Sequence, residues 1–126
     1  LKINSKELKK KFKDKMNIKN IYNYYGLIEQ TGSIFLECPN CHCFRTNKYS
    51  EIIIRDKNLN ILPSGKKGFV QLFSLLPTSY PGHIILTEDV GEIVDNNKSC
   101  QTCKDETNFL IHGRFAQSIV RGCSDV

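Results

Sequence analysis

No stretch of this chain stays apolar for the ~18 residues that a membrane-spanning helix needs, so no segment is expected to cross a bilayer. The start lacks the apolar run of a secretory signal and is rich in lysine instead. It opens on Leu, which suggests an excised fragment or a trimmed segment. There is no internal repeat and no low-complexity tract. What remains, at 126 residues with 40% hydrophobic and 25% charged, is the composition of one ordinary globular domain, or a piece of a larger one. Six cysteines without a secretory signal are expected to be reduced thiols in a cytoplasm. In that compartment paired Cys-x-x-Cys units bind metal more often than they form disulfides.

The net charge of +5 is concentrated. Eight lysines within residues 1–20 face only Glu7 and Asp14, and the rest of the chain is nearly balanced. One basic helix therefore supplies the excess. A nucleic-acid footprint wants basic residues on one surface with aromatic or polar base readers. Here a solvated helix face is the favoured reading, and nucleic acid is not the expected partner.

Asn4 and Glu7 fit a capping box, and Ile3 and Leu8 fit the flanking hydrophobic staple. Leu8, Phe12 and Met16 recur every four residues, which predicts a helix over 5–16. "NIKNIYNYYG" reads as a turn and a strand ended by Gly26. "GSIFLE", "SEIIIRD", "GFVQLFSL", "GHIILT", "GEIV" and "FLIHGR" are short, β-branched or aromatic, and bounded by turn formers. "DKNLNILPSGKKG" reads as a connection between antiparallel strands, and "LLPTSYPGH" as irregular. The fold class expected is α+β: one N-terminal helix feeding a mostly antiparallel, distorted barrel-like β-structure.

"CPNCHC" at 38–43 and "CQTC" at 100–103 supply two Cys-x-x-Cys knuckles. Two intervening residues let both sulfurs of a pair turn toward one centre. Two such pairs complete a tetrahedral thiolate site for a structural zinc from Cys38, Cys41, Cys100 and Cys103. His42 or Cys43 could replace Cys41, and six unrelated buried thiols are the bland alternative. The long gap means that the ion would tie distant loops together. Four thiolates leave no open coordination position, so catalysis is expected elsewhere.

Other candidates are weak one at a time. Tyr25 and Gly26 end a strand, with Glu29 four residues after Tyr25. Asp89 ends "ILTED". Gly113-Arg114 and Arg121-Gly122-Cys123 follow. Tyr25 alone reads as core, Asp89 before Val-Gly as a turn former, and Gly-Arg as a common dipeptide.

In order, however, "YYGLIEQ", "HIILTEDVGEI" and "IHGRFAQSIVRG" resemble the motifs of the adenylate-forming ligases. That superfamily includes acyl-CoA synthetases, phenylacetate–CoA-type ligases and the fatty-acid acyl-protein synthetases of bacterial light organs. "SCQTCKDETNFLIHGR" is similar to a cysteine run of the phenylacetate branch, and the "RGCSD" ending looks most like the acyl-protein synthetases. The resemblance covers nearly the whole chain and implies that residues 1–126 are one domain, the C-terminal part of a ligase's large domain.

It implies roles as well. Tyr25 would stack on adenine, and Gly26 would let the backbone approach the nucleotide. Glu29 would hold Mg²⁺. Asp89 would accept from both ribose hydroxyls, and Arg114 would pair with ribose or phosphate. Cys123, made more acidic by Arg121, would carry the acyl group as a thioester. The substrates implied are ATP and a fatty or other hydrophobic carboxylic acid. The acyl acceptor would be the chain's own thiol or coenzyme A, and the partner an acyl-transferring or reductase protein. Two departures stand out: Ile28 replaces the family's threonine before the glutamate, with Thr31 as a substitute. No Ser/Thr/Gly-rich phosphate loop and no small domain with a catalytic lysine is present either. The segment alone is expected to be inactive. The rival from another class is a zinc-stabilised binding module, or a scaffold, whose basic helix meets nucleic acid or an acidic protein.

Overall fold

The computed structural model describes residues 5–95, 101–103 and 105–115. The capping positions Ile3 and Asn4, the fourth zinc candidate Cys100, and Arg121-Gly122-Cys123 lie outside the described residues. Helix α1 spans Ser5–Met16, as the four-residue spacing predicts. Lys13 and Lys15 in its last turn complement the negative end of the helix dipole. Asn17 ends it at φ 53°, a left-handed position that asparagine tolerates, while its N–H still reaches Lys13 O at 3.1 Å. The stripe of Leu8, Phe12 and Met16 remains 38–61% exposed.

Among the described residues seven strands follow: β1 Tyr24–Tyr25, β2 Phe35–Leu36, β3 Phe44–Arg45, β4 Ser50–Arg55, β5 Gly68–Ser74, β6 Ile84–Val94 and β7 Asn108–Arg114. β1 and β2 form a two-stranded antiparallel pair. The others form an antiparallel sheet in the order β3-β7-β6-β5-β4. The α+β expectation holds, with one correction. The sheet is open, with β3 and β4 at its edges, and does not close into a barrel. "GHIILT" and "GEIV" also belong to one strand: β6 is paired on both sides, so Asp89 lies within it and does not end it.

Alternation places the core. Ser50, Ile52 and Ile54 of β4, and Val70, Leu72 and Ser74 of β5, point to the same buried face. Phe35 of β2 lies over this face, edge-on to Phe109 of β7 at 5.4 Å. The apolar side chains among these, Ile52, Ile54, Val70, Leu72, Phe35 and Phe109, each contribute ~1.5–3 kcal/mol of apolar transfer. Buried polar links then fix the turn 26–34 on the sheet. Ser33 Oγ and Ser74 Oγ are 2.7 Å apart, and Gln30 Nε2 donates to Gly82 O at 2.9 Å. Among the described residues no helix is long and apolar enough to cross a membrane.

Candidate nucleotide and metal sites

The β1–β2 pair lays Tyr25 against the main sheet. Its ring packs on Phe35, Phe44 and Phe109, each at 6.1 Å between centroids. At its far end the Tyr25 hydroxyl donates to Asp89 Oδ2 at 2.7 Å. Arg114 on β7 is the registered partner of Asp89 on β6, and its Nε lies 3.8 Å from Asp89 Oδ1. Three candidates from three strands thus meet at one point. Asp89 is 15% exposed and Arg114 47%, so the carboxylate is sheltered while the guanidinium reaches solvent. Burial pushes the Tyr25 phenol well above the usual tyrosine range, and the hydrogen bond to Asp89 and its negative charge push it further.

Thr87, which lies two residues before Asp89 in the same motif but to which the sequence assigns no role, completes this group. Its Oγ1 donates to Val70 O at 3.0 Å and accepts from Asp89 N at 3.1 Å.

Gly26 and Glu29 take different places. A Cβ on Gly26 would stand 3.2 Å from Ser33 O, so the close approach glycine permits there is to the chain's own backbone. Glu29 is exposed in a 3-10 turn, Ile28–Gln30. Its carbonyl lies 3.0 Å from where a Cβ on Gly82 would be, just ahead of β6. Among the described residues no hydrogen bond or ion pair joins Glu29 to Tyr25, Asp89 or Arg114. Thr31 Oγ1 donates to Ile28 O at 3.0 Å, which commits the hydroxyl proton to its own turn.

The thiols of Cys38, Cys41 and Cys103 form a second group, with their sulfurs all within 4.8 Å of one another. Cys41 Sγ lies 3.5 Å and Cys38 Sγ 3.8 Å from Cys103 Sγ. A tetrahedron of sulfurs around zinc at ~2.3 Å has edges of ~3.8 Å, so these residues fit the ion in donor type and spacing. The first knuckle is shaped by backbone bonds, Cys38 N to Cys43 O at 2.8 Å and His42 N to Cys38 O at 3.0 Å, with His42 at φ 61°. In the second, Cys103 is held by fully buried Asn108, whose Nδ2 donates to Cys103 O at 2.8 Å. Asn40 Nδ2 donates to Thr102 Oγ1 at 2.9 Å, a further link between the two loops.

Two alternatives for Cys41 fare differently from it. Cys43 is buried with its Sγ directed to Cys41 O at 3.7 Å. His42 Nδ1 contacts Glu37 Oε1 at 3.0 Å. Glu37 was not a candidate from sequence, yet it joins three parts of the structure. It also accepts from Asn23 N at 2.7 Å and pairs with Lys9 of α1. Burial works to raise its pKa, but the bonds from Lys9, Asn23 and His42 outweigh it and hold the carboxyl below the usual range.

A model of one protein family, described as "Acyl-protein synthetase, LuxE", matches residues 2–126. No curated protein matches the chain.

Proposed function

The chain belongs to the acyl-protein synthetase family, and on that premise we propose that it carries the adenosine-reading part of an ATP-dependent, acyl-adenylate-forming ligase. The observation that supports this reading most is the meeting of Tyr25, Asp89 and Arg114. A carboxylate has about four lone-pair sites. Tyr25 takes one of them on Asp89, which leaves room for two ribose hydroxyls. The partly exposed Tyr25 ring offers a surface for adenine, and Arg114 a charged donor for ribose or phosphate. Glu29 would hold Mg²⁺, which neutralises phosphate charge when bound.

In the proposed reaction a carboxylate oxygen of a fatty or other hydrophobic acid attacks the α-phosphorus of ATP, and pyrophosphate leaves. A thiolate then attacks the acyl carbon of the adenylate and AMP leaves. Cys123 or coenzyme A supplies that thiolate, and an acyl-transferring or reductase protein takes the acyl group onward, in the cytoplasm. Residues 1–126 form the C-terminal part of the large domain in this reading and do not turn over alone. A structural zinc held by Cys38, Cys41, Cys100 and Cys103 ties the two loops together.

Equilibrium dialysis of AMP against the purified chain tests this reading. Saturable binding is expected, weakened about tenfold or more by Asp89→Ala, which removes the hydrogen bonds of a charged group. Wild type without saturable binding, or a folded Asp89→Ala variant of equal affinity, would contradict it.

A further inference from the structure

We propose that Thr87 is a positioning residue of the Tyr25–Asp89–Arg114 site, because its hydroxyl replaces ladder hydrogen bonds that β6 gives up at a bulge and so fixes where Asp89 points. The proposal rests on the adenosine reading above for its functional consequence, though its structural part stands apart from that reading.

The strand register carries it. Phe69 of β5 faces Val90 of β6, and Gln71 faces Leu86. Between these pairs β5 has only Val70, whereas β6 has residues 87–89. A bulge of this kind interrupts the ladder, leaves residues unpaired, and re-aims side chains. Val70 is fully buried, so a carbonyl left without a donor there would cost ~1–3 kcal/mol. Thr87 Oγ1 meets this need by donating to Val70 O, and it also accepts from Asp89 N. A single hydroxyl therefore closes an acceptor of β5 and a donor of β6 within the bulge.

The other flank of the bulge is held by backbone. Phe115 N donates to Glu88 O at 2.9 Å, and Asp89 stays in register with Arg114. With Thr87 on one side and β7 on the other, Asp89 has little freedom to rotate away from Tyr25. Serine can make the same bonds. Valine keeps the shape of threonine and can make neither.

The test compares Thr87→Val and Thr87→Ser with wild type by amide hydrogen exchange and by AMP binding, in the whole chain. Thr87→Val should speed exchange at the Asp89 amide about tenfold or more, the equivalent of one lost hydrogen bond. Exchange at Ile54 in β4 should change far less. AMP affinity should fall about tenfold in the same variant, and Thr87→Ser should restore both values to near wild type. A folded Thr87→Val variant with an Asp89 amide as protected as in wild type would overturn the proposal. So would a folded Thr87→Ser variant that leaves this amide exposed, a result that decides the matter even if the valine variant does not fold. If wild type binds no AMP, the adenosine reading fails by itself, and the exchange data still decide whether Thr87 pins the bulge.

Discussion

Tyr25 and Asp89 stand 64 positions apart in the chain and share a hydrogen bond of 2.7 Å. The bond links the β1–β2 pair to the bulged part of β6, so it joins the cover of the core to the candidate site. The phenol donates and the carboxylate accepts, so the bond needs the neutral form of Tyr25.

Tyr25→Phe keeps the ring contacts and removes this bond. The cost should be about 1–2 kcal/mol, near the lower end for a hydrogen bond to a charged group because the pair is only partly buried. Urea unfolding at neutral pH would measure it.

The same bond sets a dependence on alkaline pH. Burial first, and Asp89 second, raise the pKa of Tyr25 in the folded chain. A raised folded-state pKa means that the stabilisation is fully present below the unfolded value of about 10 and is lost as pH rises toward the folded one. Wild type should therefore lose stability above pH ~10 more steeply than Tyr25→Phe. Parallel losses in the two proteins would argue against it.

For the metal, elemental analysis of reduced protein should give about one zinc per chain. Cys41→Ser and Cys103→Ser should lose it, whereas Cys43→Ser and His42→Ala should keep it. Cys41 and Cys103 lie 62 positions apart. By the chain-entropy relation for a cross-link of that span, removal of the ion should cost up to about 4 kcal/mol. A chelator should thus lower the melting temperature of wild type and leave Cys103→Ser unmoved.

Glu37→Gln should loosen α1, since Lys9 then loses its charged partner and the buried position loses an acceptor. A loss of about 1–3 kcal/mol is expected. Trypsin should cut the lysines of α1 faster in this variant than in wild type.

Near the site, a Cβ on Gly91 would stand 2.7 Å from Val70 Cγ2 and 2.8 Å from Leu110 O. The second neighbour is backbone and cannot swing aside. Gly91→Ala should therefore destabilise by roughly 1–3 kcal/mol, readable in the same urea experiment.

The parts of this structure that can be read from sequence are those with a period or a fixed spacing. Alternation marks β4 and β5, the four-residue spacing marks α1, and Cys-x-x-Cys marks Cys38 and Cys41 with Cys103. Asp89 is harder. Glu-Asp-Val-Gly reads as a turn between two strands, but pairing to β5 and β7 on either side carries the strand through it. Phe44 and Arg45 form too short a strand to leave a periodic signal. Glu37 and Thr87 act through tertiary hydrogen bonds to partners far along the chain, and spacing does not encode those. The meeting of Tyr25, Asp89 and Arg114 follows from the order of the ligase-like motifs, not from composition or periodicity.

The most direct measurement is a structure of the chain with AMP bound. The ribose hydroxyls should lie within hydrogen-bonding distance of the Asp89 carboxylate, with the base against Tyr25 and Arg114 beside the ribose or phosphate. AMP bound elsewhere, with Asp89 engaged only by Tyr25, Thr87 and Arg114, would contradict the assignment.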